Sequence, residues 1–252
     1  MISQLCIWPD KVLYLGNHFE TESHSHFLTQ TVIGIQAAVL IELENLHIRS
    51  DFHHIPANTP HRILEGPSSV LLCYADPHSR INSALLAAHK ERNGSIPKEL
   101  KEDLLLLSQK NPDPISLEKL FYKIAYVKKN TFEIPKIDPR IQSSLSLLRE
   151  WDFEKRPTLS KFAQNAGLSS GRFTHLFSES LGISFKRFIL WTKLSRAVLS
   201  LKNGKNLTEA CHSSGFSDSS HFSRTFMDMF GVNPSKFLTD SRSVQVYIFD
   251  PV

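Results

Sequence analysis

Two stretches near the C-terminus repeat one another, and that repeat limits the fold more than any other feature of the chain. Residues 159–169, LSKFAQNAGLS, lie over residues 207–217, LTEACHSSGFS, pairing Leu159 with Leu207, Ser160 with Thr208, Ala163 with Cys211 and Gly167 with Gly215. One copy then gains a residue, and RFTHLFSESLGISFKRF lies over HFSRTFMDMFGVNPSKF at an offset of 49. Phe173 meets Phe222, Phe177 meets Phe226, Gly182 meets Gly231 and Phe188 meets Phe237. A unit that occurs twice is one supersecondary motif used twice.

Each copy has a physical reading. The spacing predicts a first helix that buries Leu159, Phe162, Ala163 and Ala166 in one copy, and Leu207, Ala210 and Cys211 in the other. Small Ala or Cys at the crossing lets a second helix approach. Gly167 and Gly215 end the first helix in the left-handed conformation that costs glycine little. Leu168 or Phe216 fills the corner, and Ser169 or Asp218 caps the next helix. That helix buries Phe173 and Phe177, or Phe222 and Phe226. The unit reads as a helix–turn–helix, with a plain helical hairpin as the alternative.

With the phenylalanines inward, Ser219, Ser220, His221, Ser223 and Arg224 face outward in the second copy. Gly171, Arg172, Thr174 and His175 do so in the first. Short polar side chains with one arginine suit a helix in a DNA major groove, where arginine can bond a guanine edge twice and serine is less selective. Helix N-termini can also hold phosphates. Between the copies, SFKRFILWTKLSRAVLSLKNG supplies about 19 helical residues, roughly 28 Å. Such a spacer sets two reading helices about one DNA turn apart, ~34 Å.

Charge follows the same division. Residues 136–252 hold 16 Lys and Arg against 10 Asp and Glu, a balance of +6, while residues 1–135 hold 13 against 15, or −2. This asymmetry suggests two domains with different partners and is compatible with nucleic acid. Before residue 82 the chain is strand-like: DKVLYLGNHF, TVIGIQAAVLIELE, NLHIRSDFHHI and SSVLLCY are separated by turn segments, which indicates an antiparallel sandwich or small barrel. INSALLAAHKER, KELKEDLLLLSQ and SLEKLFYKIAYVKKN then read as helices. The last carries an apolar stripe of Leu117, Leu120, Ile124 and Val127, which either packs on the barrel or serves dimerisation. NTFEIPKIDP, with two prolines, reads as the linker, and SVQVYIFDPV alternates like a strand. A hydrophobic fraction of 41% supports real cores. No apolar run approaches the ~20 residues that span a bilayer, and the N-terminus lacks a signal-peptide layout, so no membrane partner is expected and the cytoplasm is the expected location. Cys6, Cys73 and Cys211 are far apart and read as reduced thiols.

The chain resembles the AraC/XylS family of transcription regulators over about residues 138–240, through GLSSGRFTHLFSESLGISFKRFI, KLSRAVLSL and GFSDSSHFSRTFMDMFGVNPSKF. The resemblance implies two helix–turn–helix units that bind successive major grooves, with recognition helices at about 169–179 and 218–229. Base-edge contacts then fall on Gly171, Thr174, His175, Ser219, Ser220, Ser223 and Arg224. Backbone contacts fall on Arg172 and His221, with Lys186 and Arg187 added. The pattern departs from the family at Gly171, at His175 and at Lys193, where an arginine is usual. The first part is similar to the family's cupin-like sensor domain: His24, His26, Gln30 and His61 stand where true cupins carry metal ligands, with Gln30 in place of the acid and Asn58 in place of a turn glycine. Those four are expected to be a structural remnant or to line a small-effector pocket, with no metal and no cofactor.

The resulting expectation is a two-domain chain: an all-β cupin-like barrel with following helices, then an all-α double helix–turn–helix. Its expected boundaries are 1–81 for the barrel, 82–135 for the helical dimerisation or linker region, 136–240 for the DNA-binding domain and 241–252 for a tail. The expected role is a sequence-specific regulator, an activator that touches RNA polymerase, binds double-stranded DNA, and works as a homodimer under a small effector. It is not expected to be an enzyme. The alternatives are a metal-dependent cupin enzyme and a protein-interaction module with decayed DNA binding.

Overall fold

The computed structural model describes residues 3–17, 21–66, 69–110, 113–125, 137–230, 234 and 244–249. Eight strands come first: β1 (Ser3–Ile7), β2 (Lys11–Asn17), β3 (Thr29–Gly34), β4 (Val39–Leu43), β5 (Leu46–Ser50), β6 (Phe52–Ile55), β7 (His61–Glu65) and β8 (Ser69–Ala75). Three helices follow, α1 (Arg80–Arg92), α2 (Lys98–Lys110) and α3 (Pro114–Ala125). Six more run from α4 (Pro139–Arg149) through α5 (Leu159–Asn165), α6 (Ser170–Leu181), α7 (Phe185–Lys202) and α8 (Leu207–Ser213) to α9 (Ser219–Phe230), before a last strand, β9 (Val244–Ile248). The N-terminal part is β-rich and the C-terminal part helical. Two compact units result, one of Met1–Ile7, Lys11–Phe132 and Phe226–Tyr247, the other of Trp8–Asp10, Glu133–Thr225 and Ile248–Val252.

In the first unit a six-stranded sheet, ordered β6-β3-β8-β2-β1-β9, accompanies a three-stranded sheet, β5-β4-β7. Pairing from β1 to β2, β2 to β8, β8 to β3 and β3 to β6 is antiparallel. Because side chains alternate along a strand, one face of each sheet gathers the branched residues. Val32, Ile55, Val70 and Leu72 from the larger sheet and Val39, Ile41 and Ile63 from the smaller form one buried cluster. β4 turns into β5 through Glu44 and Asn45, both at positive φ, as a tight hairpin of this twist requires. The C-terminal segment that alternates like a strand does form one, β9, and takes the sheet edge beside β1.

Cys6 faces Leu13 and Leu13 faces Cys73 across the ladder. The two cysteines are therefore two strand spacings apart, about 9.6 Å, beyond disulfide reach. None of the three cysteines forms a disulfide and all are buried, and burial pushes the Cys6 thiol up to about 12.

The helices of this unit form their own layer. Ser79 caps α1 by accepting from the Asn82 N–H, and Asn82 Oδ1 accepts from Thr29 Oγ1 at 2.7 Å, tying the cap to β3. Leu117, Leu120, Phe121 and Ile124 of α3 are buried, and α3 packs on α1 and α2. The apolar stripe is thus interior, which removes it as an exposed dimerisation face; Val127 lies outside the described residues, as does most of the expected linker. Lys11 is buried and pairs with Glu118 of α3 at 2.9 Å.

In the second unit an aromatic core joins the first copy to the spacer helix. Phe162, Phe173 and Phe177 each stack or abut Phe185 at ring separations of 5.1–5.4 Å, and Phe177 meets Phe188 at 5.3 Å. Leu159, expected in the core, is instead 36% exposed, because it opens α5 a turn ahead of the helix crossing. Arg196 of α7 donates to the Arg149 and Trp151 carbonyls and lies over the Phe153 ring at 4.3 Å. It thereby ties α7 to the carbonyls left open at the end of α4.

Candidate nucleic-acid interface and imidazole cluster

The two repeated units adopt matching local geometry. Gly167 and Gly215 sit at φ +66° and +81°, ending α5 and α8 in the left-handed conformation. Ser169 accepts from the Arg172 N–H at the start of α6. Asp218 Oδ1 accepts from the His221 N–H at 2.7 Å at the start of α9, and these bonds, with that from Ser217, hold its carboxyl below the ordinary range. Both caps satisfy N–H groups that the first turn leaves open. Phe173, Phe177, Phe222 and Phe226 are buried, which fixes the opposite face of each helix outward.

On α6, Gly171, Arg172 and His175 are exposed and Thr174 is half-buried. A Cβ at Gly171 would have no atom within 4 Å, so the backbone there lies open to a ligand. The Thr174 hydroxyl donates to the Ser170 carbonyl at 2.8 Å, and His175 stands 3.7 Å from Glu179. A cleft of about 470 Å³ runs along this face, bordered by Arg140, Gly171, Arg172, His175 and Glu179. On α9, Ser220, His221 and Arg224 are exposed, while Ser219 and Ser223 are half-buried. Ser217 Oγ lies 3.1 Å from His221 Nδ1 and steadies that ring. Lys186 is exposed and Arg187 half-buried in the first turn of α7, behind the Ser184 cap.

A family model described as a helix-turn-helix domain matches residues 162–240. The Msm operon regulatory protein of Streptococcus mutans is 36% identical over 80 residues, 31% of this chain and 29% of that protein. The C-terminal part of this chain is a helix–turn–helix domain. An uncharacterized HTH-type transcriptional regulator of Staphylococcus aureus is 25% identical over 141 residues, which span 55% of this chain and 19% of that one. The matched segments are thus well under half the length of these relatives. The fold of the whole chain is similar to that of apo ToxT from Vibrio cholerae, with a TM-score of 0.52 at 12% identity, over 91% of this chain and 97% of that one.

The helix–turn–helix domain contains two features that the repeat alone does not reveal. Lys193 Nζ donates to the Gly215 carbonyl at 2.6 Å, and Lys193 stands 6.0 Å from the centre of the Phe216 ring. Phe216 in turn abuts Phe222 and His221. The spacer helix thus holds the turn that aims the second recognition helix. Burial lowers the ammonium of Lys193 from its usual range. Arg140 is the second: it borders the α6 cleft while forming a two-pronged pair with Asp138.

In the first unit, His24, His26, Gln30 and His61 do converge. His26, Gln30 and His61 are buried, and His24 is half-buried. His24 and His61 form an isolated antiparallel bridge, with N–H to carbonyl distances of 3.0 and 2.9 Å. Asn58, at φ +58°, takes the left-handed turn position and donates its N–H to the His26 carbonyl at 2.8 Å. Burial lowers His26 and brings His61 to about 4. A second group, His53, His54 and His89, stands on β6 and α1; His53 and His54 are likewise brought to about 4, first by burial and then by the charge of His89. No helix among the described residues is long and apolar enough to cross a membrane.

Proposed function

We propose that this chain is a sequence-specific DNA-binding transcription regulator whose helices α6 and α9 read successive major grooves. The observation that carries the reading is the duplication inside the helix–turn–helix domain. Each copy presents a capped helix whose outward face holds short polar groups and a single arginine, Arg172 or Arg224. The 18 residues of α7, about 27 Å at 1.5 Å per residue, suit the spacing of two grooves.

In this reading Gly171, Thr174 and His175 approach base edges from α6, and Ser219, Ser220, Ser223 and Arg224 do so from α9. Arg172, His221, Lys186 and Arg187 hold phosphates, which position the protein without reading sequence. Discrimination rests mainly on α9. Arg224 offers two donors to a guanine, while Thr174 is already bonded within its own helix and His175 stands beside a carboxylate. We place the DNA-binding domain at 136–240, the effector-responsive barrel at 1–81, the intervening helices at 82–135 and the tail at 241–252. The chain acts in the cytoplasm as an activator that contacts RNA polymerase, as a homodimer controlled by a small effector.

Titrating a fluorescent random-sequence duplex with the full chain at several salt concentrations tests the groove-and-phosphate part. Four phosphate contacts give a log–log slope of about −3.6. Binding that does not respond to salt contradicts it.

A further inference from the structure

The second copy of the repeat is one residue longer than the first, and the added residue is Ser217. The corner residues Leu168 and Phe216 correspond, and the caps Ser169 and Asp218 bond the N–H groups of Arg172 and His221, so Ser217 has no counterpart between corner and cap. Its hydroxyl donates to Asp218 Oδ2 at 3.0 Å and lies 3.1 Å from His221 Nδ1. Asp218 Oδ1 accepts the His221 N–H at 2.7 Å, which keeps the carboxylate against the same turn. The Phe216 ring meets the His221 ring edge to face, with centres 5.4 Å apart. The His221 side chain is thus exposed yet held on two sides.

The direction of these bonds follows from proton counting. A carboxylate only accepts, so the bond between Ser217 and Asp218 uses the one hydroxyl proton. Ser217 Oγ then meets His221 Nδ1 as an acceptor, and Nδ1 carries the ring proton. The reverse order, with the hydroxyl turned to a bare Nδ1, would leave Ser217 Oγ and Asp218 Oδ2 facing each other at 3.0 Å as two acceptors. At neutral pH an imidazole is mostly uncharged and has one N–H, so Nε2 is left as a lone pair on the side of the ring away from Ser217. A lone pair repels a phosphate oxygen and accepts from an amino group.

We propose that His221 reads a base rather than a phosphate: Nε2 accepts from the major-groove amino group of adenine or cytosine, with Ser217 and Asp218 as positioning residues that fix its tautomer. Adenine N6 and cytosine N4 are donors in that groove, whereas guanine and thymine offer acceptors at the corresponding place, so one strand position is sorted into amino against keto bases. His221 is the third residue of α9, where recognition helices touch base edges. Arg224 stands three residues on along the same face, about 4.5 Å at 1.5 Å per residue, close to the ~3.4 Å step between base pairs. The two side chains therefore address neighbouring base pairs: donors on a guanine from Arg224, an acceptor on an adenine or cytosine from His221. This role rests on the DNA-binding reading and moves His221 out of its phosphate set. Arg172, Lys186 and Arg187 remain on phosphates, with a salt slope of about −2.7.

Two measurements on the full chain test this role. Long-range proton–nitrogen NMR spectra of the free protein, with the His221 ring assigned from its loss in His221→Gln, are expected to show Nδ1 protonated; a proton on Nε2 overturns the proposal. Selection from a randomised duplex library at neutral pH is expected to give adenine or cytosine beside the guanine that Arg224 reads, about fivefold over guanine or thymine. His221→Ala should lose that preference and keep the neighbouring guanine. Ser217→Ala should weaken the preference with the fold and the guanine unchanged, since Ser217 and His221 are both exposed. A motif that keeps the guanine but has no position responding to His221→Ala overturns the proposal and leaves the DNA-binding reading standing, as does a guanine or thymine at that position. A preference unchanged in Ser217→Ala overturns the positioning role. Binding with no motif at all overturns both this role and the reading beneath it.

Discussion

Gly167 and Gly215 occupy equivalent positions in the repeat, yet alanine should cost the chain different amounts at the two. Both stand at positive φ, so alanine at either introduces left-handed strain of about 1–2 kcal/mol, partly offset by a stiffer unfolded chain. At Gly167 the added Cβ meets nothing within 4 Å. At Gly215 it would stand 2.7 Å from the Phe153 carbonyl oxygen and 3.2 Å from Lys193 Cε. Backbone must therefore shift, and the Lys193 bond to the Gly215 carbonyl is disturbed, which adds about 1–3 kcal/mol for a buried acceptor left poorly paired. The expected totals are about 1 kcal/mol for Gly167→Ala and about 3 kcal/mol for Gly215→Ala. Trp8, Trp151 and Trp191, the three tryptophans of the chain, all belong to the second unit, so denaturant unfolding followed by tryptophan fluorescence reads that unit selectively. Equal costs at the two sites would refute the crowding argument, and no cost at either would refute the left-handed turn itself.

Three further outcomes follow from the same geometry. Lys193→Met should destabilise the second unit by about 2 kcal/mol by removing a charge-assisted bond, and Lys193→Arg should recover part of that in the same assay. Arg224→Ala should weaken binding to a preferred duplex by about 1–3 kcal/mol while leaving the unfolding midpoint within about 0.5 kcal/mol of wild type, since Arg224 is exposed; competition titration against a random duplex measures the first. The first unit should lose stability in acid. His53, His54 and His61 are held near 4 in the fold and titrate near 6.5 unfolded, so the unfolded chain binds more protons between these values, and stability rises with pH across that window. Below about pH 6.5 the buried rings of His54 and His61 each remove up to about 3 kcal/mol as pH falls to 4, the half-buried His53 less, and unfolding followed by far-ultraviolet circular dichroism at stepped pH should show the decline.

Much of the helical part is legible from sequence because glycine, serine and phenylalanine act locally there. A glycine before a Ser-x-x-x-Phe or Asp-x-x-x-Phe stretch needs no distant information to be read as a left-handed stop, and Gly167 and Gly215 both adopt it. The strand-rich first part is legible for a similar reason, from short branched runs between turns. Properties that depend on partners remote in sequence are not. Leu159 has the right spacing for the core, yet it stands a turn short of the crossing. The α3 stripe looks available until α1 and α2 cover it. Lys193 reads as a conservative departure from arginine, and only the fold brings its ammonium to the Gly215 carbonyl 22 residues away. The imidazole cluster divides along the same line. Sequence places His24, His26, Gln30 and His61 together by resemblance, but which ring nitrogen faces a carbonyl depends on the backbone around Glu22, Leu28 and Thr59.

The measurement that bears most directly on the central claim is selection of bound sequences from a randomised duplex library, using the full chain at physiological salt. Two-groove reading predicts an enriched motif with two blocks about ten base pairs apart, the α9 block being the sharper and containing a guanine lost in the Arg224→Ala selection. A library that emerges unenriched, with the protein folded, would contradict it.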